Sequence, residues 1–390
     1  MLASVVVNNH NYGRFLAEAV ESALEQTHPQ TEVVVVDDGS TDDSRAVLER
    51  FRDDVEVVLK ENGGQRSAFN AGLARSRGEL VCFLDADDAL DPTAIERAVE
   101  LAAEPGVSKV QWPLRGVTAD GSETGDLFPP VRLDDGSLRE RVLRDGPDCS
   151  PAPPTSGNAW SRGFLERVMP MPEVAANHRN HADAYLFALA LLFGEVRAIQ
   201  EPLGSYRLHG DNIYATLGFR EQLERNLSLY AYRCEVLAEY CRELGIDADA
   251  SRWDPEGSWV NRLTRSLEEI ERLVPAGEPF LFLDETQWAL PQTGDCVPVP
   301  FPSRDGVYWG LPTDDEAAIS ELEAARADGV RFLVFAWQTF WWLDHYRDFA
   351  RHVAESYRCV LDNDRLKLWV ERDRAAPYAL SEGALADDAR

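Results

Sequence analysis

Four apolar runs, each ending in a cluster of polar residues and each separated from the next by a helix-patterned segment, constrain this chain more than any other feature. "SVVVNN" reads as a strand. "GRFLAEAVESALEQT" then sets Phe15, Leu16, Ala19, Val20, Ala23 and Leu24 at helical spacing. "EVVVVDDGS" is apolar without interruption, as a strand covered on both faces must be. "TDDSRAVLERF" is a helix whose acidic residues fall in the first turn, where the helix dipole favours them. "VEVVLKE", "QRSAFNAGLARS" and "LVCFLD" complete the series as strand, helix and strand. The order βαβαβαβ specifies an open, mostly parallel α/β sheet with helices on both faces. Ligands of such sheets bind beyond the carboxyl ends of the strands. The clusters "NNHN", "DDGS", "ENGGQ" and "DADD" all fall at those ends.

From Gly106 to Pro154 the pattern loosens, with "LRERVLRD" as a short helix. "PTSGNAWSRGFLERVMPMPE" reads as a loop, a helix and a Pro-rich turn, "DAYLFALALLFG" as a buried helix, and "VRAIQEPLGSYRLHGDN" as a strand pair or a strand plus loop. Helical spacing dominates from Leu217 to Leu273. The character changes again at "VPAGEPF". "FLFLDE" and "VRFLVFAW" are strands, "DDEAAISELEAARADG" is a capped helix, "FWWLDHYRDFARHVAESY" is a helix, and "RCVLDNDRLKLWVER" is a hairpin with Asn363-Asp364 at its tip. The expected organisation is a catalytic α/β domain over residues 1–215, a helical segment over 216–277, a smaller α/β domain over 278–373, and a frayed tail from 374 to 390.

A net charge of -29 argues against nucleic acid and anionic lipid as partners. No apolar run has the length to span a bilayer. "MLASVVVNNHNYG" lacks the basic-then-apolar pattern of a secretory signal, and the six cysteines form no C-x-x-C pair. A reducing cytoplasm is the expected location, with a membrane reached only through a partner.

The stretch "ELVCFLDADDAL" drives an apolar strand into Asp85, Asp87 and Asp88. Close like charges resist ionising together, so the arrangement needs a use. As a calcium loop it fails at Ala89 and Leu90, where a ligand and a turning Gly are required. As a phosphatase nucleophile it lacks the Gly-Thr that should follow. Asp88 and Asp91 could instead cap the helix beginning near Pro92, which leaves Asp85 and Asp87 unexplained. The remaining reading is a D-x-D site, in which Mg²⁺ or Mn²⁺ takes one or two carboxylates and completes its shell with substrate phosphates.

"SVVVNNHNYGRFLAEAVESALEQT", "VVVVDDGSTDDS" and "ENGGQRSAFNAGLARSRGELVCFLDADD" together resemble the family 2 glycosyltransferases, densely over residues 4–91 and more loosely to about 215. The resemblance implies a GT-A-type fold. It implies that Asn8, Asp37 and Asp38 hold the base or ribose of a nucleotide. Gly64 and Arg66, at the start of the third helix, would lie near a diphosphate, where glycines permit close approach and helix amides suit anions. Asp85 would meet the ribose or donor sugar, and Asp87 the metal. "SYRLHGDN" is similar to the family's late Y-R-x-H-x-x-N segment, which assigns His209 as the second metal ligand; a lone loop histidine is otherwise a surface residue. "NHADAYLFAL" matches the segment that carries the general base, here Asp183, although Ala182 stands where the family often has Glu. Asp183 also suits a helix N-cap. Trp160 in "TSGNAW" is either a sugar-stacking or a core residue.

The resulting expectation is a metal-dependent, inverting transfer of sugar from a nucleotide-diphosphate sugar to an acceptor hydroxyl. The acceptor is left open among glycan, lipid-linked glycan and small molecule, and self-association is open too. A sugar-nucleotide nucleotidyltransferase is the alternative enzyme. It calls for a Gly-rich basic loop after the first strand, where "NNHNYGRF" offers only Arg14. A non-catalytic binding module is the third reading. Eight of the ten tryptophans lie from Trp253 onward, a pattern expected of a core or domain interface more than of a sugar site. "DETQWAL" and "RDGVYWG" are loops that could frame an acceptor pocket.

Overall fold

The βαβαβαβ alternation is present in the computed structural model, which describes residues 1–172, 180–210, 218–253, 259–285, 288, 297–304 and 306–372. It comprises β1 (Ala3–Asn9), α1 (Gly13–Leu24), β2 (Thr31–Asp38), α2 (Ser44–Leu48), β3 (Glu56–Lys60), α3 (Gln65–Arg75) and β4 (Leu80–Asp85). There follow β5 (Ala89–Leu90), α4 (Ala94–Ala102), β6 (Val107–Gln111), β7 (Leu114–Thr118), β8 (Glu123–Phe128), β9 (Gly136–Ser137) and α5 (Arg139–Asp145). Then come β10 (Asn158–Ser161), α6 (Arg162–Val168), α7 (Ala182–Phe193), β11 (Glu195–Ala198), β12 (Gly204–Leu208) and α8 (Phe219–Glu243). The main sheet has the order β3-β2-β1-β4-β10-β6-β11-β9, and a second sheet the order β5-β12-β7-β8. In the main sheet all strands but β9 and β10 run one way.

Strand pleating sorts the side chains between two cores. Val5, Val7, Val33, Val35, Cys82 and Leu84 face α1, α2 and α4, with Leu16, Leu48 and Ile95 packed on them. Val6, Val34, Val36, Val81 and Phe83 face α3, α6 and α7. Gly72 lets α3 lie close on the sheet: a Cβ there would stand 2.3 Å from Val6 Cγ1. Phe69 of α3 stacks on Phe83 with ring centroids 3.9 Å apart.

β10 corrects the expected loop. Asn158–Ser161 is an antiparallel strand inserted between β4 and β6, pairing Trp160 with Val81 and with Lys109. Trp160 is 1% exposed, which makes it a core residue and removes it as a sugar platform. Asp91 does not cap α4; its carboxylate pairs with Arg115, and no side chain caps that helix.

Contacts divide the chain into Met1–Pro255 and Glu256–Arg390, and so divide the helical segment expected between two domains. α8 packs on α7 within the first unit, through Leu237, Cys241 and Leu192. The second unit begins with α9 (Trp259–Leu273), followed by β13 (Pro279–Leu283), β14 (Val297–Pro300), β15 (Ser303–Arg304), β16 (Val307–Tyr308) and α10 (Asp315–Ala327). It ends with β17 (Phe332–Ala336), α11 (Trp342–His345), α12 (Arg347–Ser356), β18 (Tyr357–Asp362) and β19 (Leu366–Glu371). Its five-stranded sheet has the order β14-β13-β17-β19-β18. Asp314 caps α10 by accepting from the Ala317 amide at 2.9 Å. Phe335, Trp342 and Phe349 lie in its core, while Trp259 and Trp341 remain 46% and 38% exposed. Residues 374–390 lie outside the described residues, as do 286, 287, 289, 290 and 305 of the two aromatic loops. Among the described residues no helix is long and apolar enough to cross a membrane.

Candidate active site

A cleft of about 790 Å³ opens at the carboxyl ends of β1, β2 and β4. Asn8, Asp38, Gly64, Gln65, Asp85 and Asp87 line one side; Pro153, Thr155, His181, Asp183, Phe187, Leu229 and Arg233 line the other. Parallel register brings the first group together. Asn8 is the cross-strand neighbour of Asp85, and Asp38 that of Lys60. A separate cavity of about 430 Å³, lined by Gln26, Thr31, Glu32 and Arg77, touches the opposite, amino end of β2.

Asp38 is 3% exposed, and both of its carboxylate oxygens are engaged. Oδ1 accepts from the Gly63 amide at 3.0 Å and from the Lys60 ammonium, and Oδ2 accepts from the Gly64 amide at 2.7 Å. The end of β2 is thereby tied to the turn that opens α3. Gly64 takes φ +82° in that turn, a left-handed conformation that suits glycine. Its amide is thus committed to Asp38.

Asp37 and Arg66 stand behind the cleft wall. The pleat turns Asp37 to the opposite face of β2, where it accepts from Asn9 Nδ2 at 3.1 Å and from Arg45 Nε at 3.2 Å. Arg66 is 4% exposed; its guanidinium lies 5.4 Å from the Tyr185 ring centroid and 4.8 Å from that of Tyr232. Each is therefore a structural cross-link within the fold.

The "DADD" carboxylates differ in what they touch. Asp85 Oδ1 accepts from Asn8 Nδ2 at 2.5 Å and from Gln65 Nε2 at 3.3 Å. Burial and the neighbouring Asp87 charge raise the Asp85 pKa to about 7. Asp87 Oδ2 lies 3.0 Å from His209 Nε2, and Arg14 Nη2 lies 3.3 Å from the other ring nitrogen, Nδ1. Asp88 is a staple, with its Oδ2 accepting from Ser156 Oγ at 2.6 Å and its Oδ1 from the Arg207 amide at 3.0 Å. Burial, then the charges of Asp87 and Asp85, push its pKa well up. Arg207, 2% exposed, completes this frame by donating from Nε to the Asp87 carbonyl at 2.9 Å and pairing with Glu18 at 2.6 Å. Among the described residues no group of three or more His, Cys, Asp or Glu is arranged to hold a metal.

Asp183 lies in the first turn of α7, and the helix N-cap position falls on His181. Its Oδ1 accepts from the Ala184 amide at 2.8 Å, and its Oδ2 is reached by the Thr155 hydroxyl at a long 3.4 Å. Burial raises its pKa, and the charge of Arg233 opposes that rise. Beneath this turn Lys109 is 2% exposed, with Nζ 2.9 Å from Gln111 Oε1 and 4.5 Å from the Phe187 ring centroid. Burial pushes its ammonium down to about 7, against the pull of Asp183. Nothing in residue type or spacing singles out Lys109, Gln65, Ser156 or Arg233. The one available signal was the rarity of lysine, which stands only at 60, 109 and 367.

Residues 4–144 match the model of the family described as glycosyl transferase family 2. This stretch is a family 2 glycosyltransferase domain. The match covers β1 through most of α5 and so includes the Asn8, Asp38 and Asp85–Asp88 side of the cleft. An uncharacterized glycosyltransferase of Nostoc sp. is 38% identical over 216 residues, 54% of this chain and 66% of that protein. The glycosyltransferase GlyG of Streptococcus pneumoniae is 38% identical over 107 residues, 26% of this chain and 36% of GlyG. The chain thus spans about two thirds of the first relative and about a third of the second. Among solved structures, S. aureus TarS (residues 1–349, with UDP-GlcNAc) is similar at 19% identity and a TM-score of 0.48, over 70% of this chain and 78% of TarS.

Proposed function

We propose that this cleft binds a nucleotide-diphosphate sugar along its family 2 side and transfers the sugar, with inversion, to an acceptor hydroxyl held at its Asp183 side. The observation that carries this reading is the placement of Asp183, a half-buried and loosely partnered carboxylate, in the same cleft as the Asn8–Asp85 pair. Burial raises the proton affinity of Asp183, which suits a base that must take a hydroxyl proton as the new bond forms. A single displacement needs one such base and no protein nucleophile. Asn8 and Asp85 are the candidate contacts for the nucleoside or donor sugar. Asp38 contributes by fixing the Gly63–Gly64 turn at the start of α3.

Asp87 and His209 are the residues that would hold Mg²⁺ or Mn²⁺. One carboxylate oxygen of Asp87, which lines the cleft, and one imidazole nitrogen of His209, buried behind it, lie 3.0 Å apart, an incomplete donor set of the kind that substrate phosphates complete. When bound, the ion would neutralise charge on the departing diphosphate. His209 is held from the far side by Arg14, and the Asp87 backbone by Arg207, so the pair is fixed in advance. The test is calorimetry with UDP, GDP and TDP, with and without Mn²⁺, on the wild type and Asp87→Asn. Metal-dependent binding of one nucleotide, weakened at least about tenfold in the variant, is the expected result. Binding unaffected by metal, or the absence of binding to any of the three, refutes the assignment.

A further inference from the structure

α8 lays a basic stripe against the Asp183 side of the cleft. Arg225, Leu229 and Arg233 recur every four residues and so share one helical face. Leu229 and Arg233 line the cleft, and Arg225 Nη2 lies 3.0 Å from Nε2 of the cleft residue His181. Among the described residues that line the cleft, Arg233 is the one Arg or Lys, set against Asp38, Asp85, Asp87 and Asp183.

Arg233 is the residue of interest. Its Nη2 lies 2.7 Å from each of the two oxygens of Asp148, so one nitrogen takes up the whole carboxylate. Nη1 and Nε have no protein partner among the described residues, and Nε is buried. A guanidinium is a fork of five N–H donors suited to a planar or tetrahedral oxyanion, and here most of the fork is unused. Asp148 is 44% exposed on its side chain, so it is a weak, displaceable competitor. Arg233 is also near enough to Asp183 for its charge to act on that carboxylate.

We infer that the acceptor carries an oxyanion, a phosphate monoester or a carboxylate, and that Arg233 binds it while the neighbouring hydroxyl faces Asp183. This deepens the proposed glycosyl transfer and rests on it. An anionic acceptor also suits a cleft that must keep its acceptor apart from the carboxylates on the donor side, since the guanidinium selects where the negative group goes.

The experiment uses the full chain saturated with UDP, or with whichever nucleotide diphosphate binds, and titrates inorganic phosphate, glycerol 3-phosphate, glycerate and glycerol by calorimetry. The wild type is expected to bind one or more of the three anions and to bind glycerol at least about tenfold more weakly, the difference expected of a charge-assisted contact. Phosphate against glycerate separates the two anion classes. Arg233→Met is expected to lose the preference, and Asp148→Asn to strengthen it by freeing Nη2; a residue that merely held the fold would weaken binding in both variants. Equal binding of anions and glycerol, no binding of any probe by the nucleotide-loaded protein, or a preference that survives Arg233→Met overturns the inference. Loss of nucleotide binding in the wild type would instead overturn the underlying reading of the cleft.

Discussion

The two sides of the cleft use their polar groups in opposite ways. On the β1–β2–α3 side they are bonded to one another: Asp38 to Gly63, Gly64 and Lys60, and Asp85 to Asn8 and Gln65. On the α7–α8 side they are underused: Asp183 has one contact at 3.4 Å and one to its neighbour's amide, and Arg233 lends a single nitrogen to Asp148. A prearranged wall suits a ligand whose shape never changes, because the ordering cost is met during folding. A wall with open donors and acceptors suits a proton transfer and a variable second substrate. The contrast is between a mould and a set of free hands.

Substitutions on the two sides should therefore fail differently. Asp183→Asn should lower turnover about a thousandfold while nucleotide affinity and melting temperature stay near wild type; turnover within tenfold of wild type would remove Asp183 as the base. Asp38→Asn should act through the fold, because it takes one partner from a buried charged cluster. A loss of about 3 kcal/mol in urea unfolding is expected, with weaker nucleotide binding as a consequence. Unchanged stability with lost binding would turn Asp38 back into a direct ligand and dissolve the contrast.

Lys109 gives a pH-dependent test beneath the α7 wall. Its folded-state pKa is held down to about 7 from an ordinary 10.5. Between those values the unfolded chain binds a proton that the folded one does not, so folding stability contributed by this site rises with pH. The burial cost is full below about pH 7 and gone above the unfolded value. Lys109→Met should be more stable than wild type at pH 7, and that advantage should shrink toward pH 10 by at most about 1.4 kcal/mol per pH unit. Parallel stability curves would show that Lys109 keeps its proton in the folded state across this range, with no depression of its pKa. The smallest effect is expected of Arg45→Ala. This arginine is 57% exposed on its side chain and pairs with Asp37 behind the wall, so a loss below about 1 kcal/mol with nucleotide affinity intact should follow.

The family 2 side was legible in the sequence because its elements follow one another along the chain and its polar clusters sit where the periodicity breaks. Even Asp37 could have been separated from Asp38 there: in "VVVVDD" adjacent residues must face opposite ways once both faces of the strand are covered. The other side was not legible in the same way. β10 is four residues long, begins straight after Gly157, and gets its strand character from β4 and β6, which precede it by many residues. The spacing of Arg225, Leu229 and Arg233 is visible in the sequence, but only the packing of α8 on α7 tells which face meets the cleft. Asp88 resembles its neighbours in type, and only its contacts with Ser156 and Arg207 distinguish it.

The insertion of β10 has a practical corollary. A fragment ending at residue 144, where the family match stops, would keep β4 but lose the only strand that covers its outer flank among the described residues. The backbone of Leu80, Val81 and Cys82 would then present unsatisfied amides and carbonyls along an apolar margin, an invitation to intermolecular pairing. Shortened versions of this protein should precipitate when cut before Ser161 even though every recognisable motif up to Asp88 is retained.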